Sequence, residues 1–157
     1  IDDAKEVKVV LTIGGLSPVI DHSMKVAHRI SSDVTAVYVA TDPEQGERVR
    51  QKWDAARHGG TPLVVLPSPY RDVITPLRRY LDRLHRQDPD TVINLLVPVV
   101  VTNEPFDEYL HNGTADLIRR ELLYSEGILV TEIPFYVNMH RGHQVLAYEP
   151  EPPQGDD

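Results

Sequence analysis

The stretch Val7-Lys8-Val9-Val10-Leu11-Thr12-Ile13-Gly14-Gly15-Leu16-Ser17-Pro18 restricts the fold more than any other part of the chain. Its apolar run is nearly continuous through Ile13. That pattern suits a strand covered on both faces, as at the centre of a parallel sheet. Gly14 and Gly15 let the main chain turn sharply. Ser17 can cap the helix that follows, and Pro18 suits its first position. In open α/β sheets this strand–turn–helix arrangement is where ligands sit. Gly14, Gly15 and Ser17 can present N–H groups to such a ligand; the plainer alternative is a tight turn with an ordinary cap.

The rest of the chain repeats the alternation. A helix is predicted over residues 18–31, with Ile20, Met24, Ala27 and Ile30 as its apolar stripe. Residues 34–40 read as a β-branched second strand. Asp42 caps a second helix, Pro43 opens it, Val49, Trp53 and Ala56 face inward, and His58-Gly59-Gly60 ends it. Residues 62–67 form a short third strand. A third helix opens at Ser68-Pro69-Tyr70-Arg71-Asp72, with Val73, Leu77, Tyr80 or Leu81, and Leu84 inward. Pro76 predicts a kink or a second start at Thr75. Residues 91–97 read as the fourth strand, and residues 98–111 as a long connection of the kind that tends to be functional. Asn112-Gly113-Thr114 leads into a fourth helix with Ala115, Ile118, Leu122 and Leu123 inward, closed by Gly127. A fifth strand covers residues 128–133, with residues 134–137 as an extension. Alternating strands and helices imply an α/β fold: an open parallel sheet, right-handed crossovers and helices on both faces. Residues 1–139 are read as this domain and residues 140–157 as a polar, proline-rich, mobile tail.

The net charge of −8, from 16 basic and 24 acidic residues, disfavours a nucleic-acid partner, which needs a basic face. The absence of cysteine excludes disulfides, thiolate metal sites and a thiol nucleophile. No apolar run approaches the ~20 residues of a spanning helix. The chain opens Ile1-Asp2-Asp3 without an initiating methionine, which predicts either a piece of a longer protein or a chain whose tag has been removed.

Walker A, G-x-G-x-x-G and G-x-S-x-G patterns are missing. No nucleophile–base pair or metal set is legible, so no catalytic residue and no metal site are assigned. Glu104, Asp107 and Glu108 lie in the long connection, where loop acids are common. His140 and His143 are too few ligands for a zinc site. His22, His28, His58 and His85 are read as surface or cap residues. His111-Asn112-Gly113-Thr114 can receive a phosphate at a helix start or simply cap that helix. Arg71, Arg78, Arg79, Arg83 and Arg86 can meet acidic lipid or a phosphorylated ligand, or form a solvated, salt-bridged helix face.

Several phrases carry a resemblance: Asp33-Val34-Thr35-Ala36-Val37-Tyr38-Val39-Ala40-Thr41-Asp42-Pro43, Pro67-Ser68-Pro69-Tyr70-Arg71, Tyr80-Leu81-Asp82-Arg83-Leu84-His85 and Leu110-His111-Asn112-Gly113-Thr114-Ala115. With them, residues 7–137 resemble the universal stress protein fold. More narrowly they resemble the cytoplasmic C-terminal domain of amino acid–polyamine–organocation superfamily permeases, including KimA-type potassium importers and related amino acid permeases. The resemblance implies a five-stranded sheet of order 3-2-1-4-5. It implies a homodimeric, non-catalytic regulatory domain joined to the transmembrane permease portion of the same polypeptide. It places a nucleotide over the carboxyl ends of the strands, against Gly14, Gly15 and Ser17, against Val39 and Thr41, and against His111, Asn112, Gly113 and Thr114. Of the family's G-x-x-G-x9-G-[ST] loop only Gly113-Thr114 survives; Pro98, Val99, Val100 and Val101 stand where earlier glycines would be. The resemblance to potassium importers implies control by cyclic di-AMP, received in the fold crevice or at the dimer interface, with ATP as the alternative regulatory ligand. A free-standing universal stress protein binding ATP or AMP is the second reading. The fifth strand is an edge suited to dimer pairing.

Overall fold

The computed structural model describes residues 7–14, 18–58, 60–102, 108–140 and 143–145. The elements follow in order: β1 (Lys8–Ile13), α1 (Pro18–Ile30), β2 (Val34–Ala40), α2 (Pro43–Ala56), β3 (Leu63–Pro67), α3 (Ile74–Gln87), β4 (Ile93–Thr102), α4 (Glu108–Leu122), β5 (Ile128–His140) and β6 (His143–Val145). The first five strands are parallel in the order β3-β2-β1-β4-β5, as the alternation and the resemblance imply. The short β6 adds antiparallel to the end of β5, inside the stretch expected to be tail.

Each face of the sheet buries one core. Val9, Leu11, Ile13, Ala36, Tyr38 and Leu96 pack with Ile20, Met24 and Ala27 of α1 and Val49 and Trp53 of α2. Val10, Val37, Leu95 and Val97 pack on the other face with Leu77 and Leu81 of α3 and Ile118 and Leu122 of α4. Val9, Val10 and Leu11 are fully buried although consecutive, because β1 is covered on both sides.

Three expected stripes end early. Ile30, Ala56 and Leu123 are exposed, each at the last turn of its helix or just beyond it, where the helix has left the sheet. Asp42 caps α2 as expected, its Oδ1 accepting from Glu44 N at 3.0 Å. The glycines do not close α2, however. Arg57 takes the left-handed conformation at φ 50° and donates its N–H to Asp54 O. Trp53 Nε1 donates to Thr61 O at 2.9 Å, which ties the end of α2 to the start of β3.

Gly46 sets how closely α2 approaches the sheet. A Cβ there would lie 2.9 Å from Ala40 Cβ and 3.2 Å from Val65 Cγ1. Gly46→Leu is therefore expected to force α2 off β2 and β3 and to destabilise the domain by about 2–3 kcal/mol, read as a loss of melting temperature. Gly46→Ser, with a smaller side chain, should lose less.

The expected long connection is mostly regular structure. Residues 98–102 extend β4 and pair with residues 133–137 of β5, and α4 already begins at Glu108. Pro98 is tolerated because the pairing of β1 with β4 ends at Leu11↔Leu96. Beyond that point one side of β4 needs no N–H donor. Glu104 and Asp107 lie outside the described residues, as do the side chains of Glu108, His140 and His143.

Candidate functional site: a crevice at the switch point

The chain leaves β1 toward β2 and returns at β4, so β1 and β4 diverge at their carboxyl ends. Such a divergence opens a crevice in parallel sheets. Here it has a volume of about 250 Å³. Its floor is Thr12, Ile13 and Gly14 of β1 and its exit, Val37 and Val39 of β2, and Val97 and Pro98 of β4. Val73 and Leu77 form the α3 wall, and Thr114, Ala115 and Ile118 the α4 wall. Thr12 Oγ1 donates to Leu96 O at 3.1 Å, which stitches the two diverging strands just below the opening.

Of the candidate residues, the structure brings Gly14, Val39 and Thr114 to this crevice. Thr41 lines a neighbouring hollow of about 680 Å³ instead, with Ala40, Pro43, Gly46, Glu47, Arg50, Val65, Pro67, Ser68 and Pro69. That hollow is larger but lies over the α2 side of β2 and β3, away from the switch point. Gly15 and Ser17 lie outside the described residues. His111, Asn112 and Gly113 belong to α4, and their side chains lie outside what is described. Because α4 starts at Glu108, Asn112 and Thr114 sit within its second turn and cannot be its N-caps.

Gly14 is not required by packing. A Cβ built there would meet nothing within 4 Å, and its φ is not left-handed. The missing side chain leaves the main chain open to close approach from the crevice.

The third helix opens later than expected, and in a different way. Residues 68–73 form a loop, and Ile74 is the first helical residue. Asp72 supplies the cap: its Oδ1 accepts from Ile74 N at 3.0 Å and Thr75 N at 3.2 Å, and its Oδ2 accepts from the Thr75 hydroxyl. Pro76 then falls in the first turn, where its missing N–H has no partner to lose. No kink is needed. The hydrogen bonds from Thr75 hold the Asp72 carboxyl below its ordinary value of 3.8. A depressed folded value stabilises the fold above the ordinary value, and the contribution is lost as pH falls through the folded value. The melting temperature is therefore expected to fall over that acid range. Asp72→Asn, which cannot titrate, should flatten this part of the profile.

The basic face of α3 is largely solvated. Arg78 pairs with Glu121 at 3.8 Å and donates to its carbonyl at 3.0 Å, which links α3 to α4. Arg86 donates to Asp82 O within its own helix. The histidines have more company than their scatter suggests. His28 Nε2 and Thr61 Oγ1 are 2.8 Å apart, and His58 packs its ring 4.2 Å from Trp53 and 3.9 Å from Asp21. His22 meets Phe135 edge-on at 5.5 Å. These contacts staple α1 to its neighbours. Among the described residues no three His, Asp or Glu side chains converge as metal ligands, and no helix is long and apolar enough to cross a membrane.

The residues missed from sequence are Val73 and Leu77 on one wall, Val37 beneath, and Val97 and Pro98 opposite. They carry the same apolar signal as any core position. Only the divergence of β1 from β4 makes them a lining.

The family model of the KimA potassium transporter C-terminal domain matches residues 4–135. The chain is also similar to the potassium transporter KimA of Bacillus subtilis (strain 168). The two are 27% identical over 137 residues, which is 86% of this chain and 22% of that protein's length. The match runs from before β1 through β4 and into β5, over most of the chain, and the chain belongs to the KimA potassium transporter C-terminal domain family.

Proposed function

We propose that this domain is the cytoplasmic regulatory part of a KimA-type potassium transporter, non-catalytic and dimeric, and that it senses an adenine nucleotide, cyclic di-AMP before ATP. The observation that carries the reading is the crevice at the switch point of a domain from a transporter family. Its walls are apolar enough to hold a base, and Gly14 exposes main chain that packing does not use. Membership of a transporter family favours this over a free-standing nucleotide-binding protein. A transmembrane portion of the same polypeptide is the natural recipient of the signal. Dimerisation is supported by β5. Among the described residues its outer edge has no strand partner over residues 128–137, and Leu129 and Tyr136 are 54% and 51% exposed there.

Calorimetric titration of the chain with cyclic di-AMP, ATP and AMP tests the nucleotide. Saturable binding of cyclic di-AMP supports the reading, and heat from none of the three removes it. Gly14→Val supplies the control. It should leave the melting temperature unchanged, because a Cβ there has room, yet abolish binding by filling the approach. Sedimentation of the wild type and Leu129→Lys tests the dimer. Two monomeric proteins would refute it.

A further inference from the structure

The crevice and the larger hollow are divided by the loop joining β3 to α3. Ser68 and Pro69 line the hollow and Val73 lines the crevice, so Tyr70 and Arg71 stand on the ridge between them. The ridge is firmly built. Ser68, itself buried, donates its N–H to Ala40 O at 2.8 Å. Its hydroxyl donates to Asp72 O at 2.6 Å and accepts from Asp72 N at 3.2 Å. Arg71 N closes the turn on Ser68 O at 3.4 Å.

On this rigid turn the two remaining side chains do nothing for the fold. Tyr70 is 90% exposed and buries almost no surface. Arg71 is exposed and holds φ at 55°, a conformation that glycine or asparagine adopts with less strain. Its guanidinium has no hydrogen-bond or ion-pair partner among the described residues. The adjacent Asp72 carboxylate is committed to the start of α3. Strain at an exposed, unpaired arginine is the kind of outlier that functional sites retain.

The crevice lacks what this ridge offers. Among the described residues none that lines it is Lys, Arg or His, so none of these neutralises a phosphate. Its volume of about 250 Å³ lies below the ~300 Å³ at which small-molecule pockets ordinarily begin. A nucleotide with one base seated in the crevice must carry its remaining groups over the rim. We propose that Tyr70 and Arg71 are the rim clamp of this site, the phenol ring stacking on a base and the guanidinium fork holding a phosphate. The proposal rests on the nucleotide reading above and adds two binding residues to it.

Titration of the 157-residue wild-type chain and of Arg71→Gly, Arg71→Gln and Tyr70→Ala with cyclic di-AMP, alongside thermal melts, tests the clamp. Arg71→Gly relieves the backbone, so its melting temperature should hold or rise while binding weakens at least about tenfold. Arg71→Gln keeps the backbone strain and should lose binding to a similar degree. Its affinity should also respond less to added salt than the wild type's. Tyr70→Ala should weaken binding at least about fivefold with an unchanged melt. A wild type that binds cyclic di-AMP beside three variants that bind within twofold of it overturns the clamp and leaves the nucleotide reading standing. A wild type that binds none of the nucleotides overturns both.

Discussion

Leu77→Ala is expected to lower the unfolding free energy by about 3–4 kcal/mol and the melting temperature by roughly 10 °C. Leu77 is fully buried, in the middle of the core that α3 and α4 share with the sheet. Removing its branched end forfeits the transfer energy of the lost carbons. It also leaves a cavity that two helices and a sheet cannot close without moving together. The same side chain forms a wall of the crevice. Leu96→Ala makes an informative partner, because Leu96 is equally buried but belongs to the core on the α1–α2 face. Both variants should melt early by similar amounts, measured by circular dichroism. If the crevice holds a ligand, only Leu77→Ala should change its affinity beyond what partial unfolding explains. Equal affinities in the two variants would place the ligand elsewhere.

Gly127→Ala should cost about 2–4 kcal/mol through two separable effects. Gly127 turns the chain from α4 into β5 at φ 73°, and its carbonyl accepts from Ile93 N at 3.0 Å, so the turn is tied to the start of β4. An added Cβ must adopt the left-handed backbone. It must also fit where His85 of α3 already packs, 2.5 Å from Cε1 and 2.6 Å from Nδ1. His85 is half-buried, and its Nδ1 has no hydrogen-bond partner among the described residues. A double-mutant cycle with His85→Ala separates the effects. The clash should vanish in the double variant and the backbone strain remain, leaving a residual cost of about 1–2 kcal/mol. Full recovery in the double variant would mean that the left-handed turn costs nothing. No recovery would mean that the ring was never in the way.

Much of the architecture is legible in the sequence. The β-branched run from Val34 to Ala40 becomes β2 without shift, and Asp42-Pro43 opens α2 by a mechanism that side-chain chemistry alone dictates. Where the reading slipped, a local rule met a non-local circumstance. Pro98 reads as the end of a strand because proline cannot donate to a ladder. It sits inside β4 because the pairing with β1 has already ended at Leu96. Ser68-Pro69 reads as a helix start, yet the buried Ser68 hydroxyl is spent on Asp72 and the helix waits for Ile74. Gly59-Gly60 reads as the stop for α2, but Arg57 ends it first.

The candidate site divides along the same line. Gly14 was found from its place after β1, and Thr114 from the motif that holds it. Thr41 enters with them through resemblance, but it lies just past the end of β2 at Ala40 and lines the neighbouring hollow, while Val39 lines the crevice. Leu77 and Val97 carried no signal of their own. The sequence by itself determined the alternation of strands and helices, the caps and the buried faces, because those follow from periodicity and side chains acting within a few residues. The crevice, the ridge bearing Tyr70 and Arg71 and the contact of His85 with Gly127 were decided only by the tertiary structure. Each depends on which strands become neighbours and where their pairing stops, and no window of the chain contains that information.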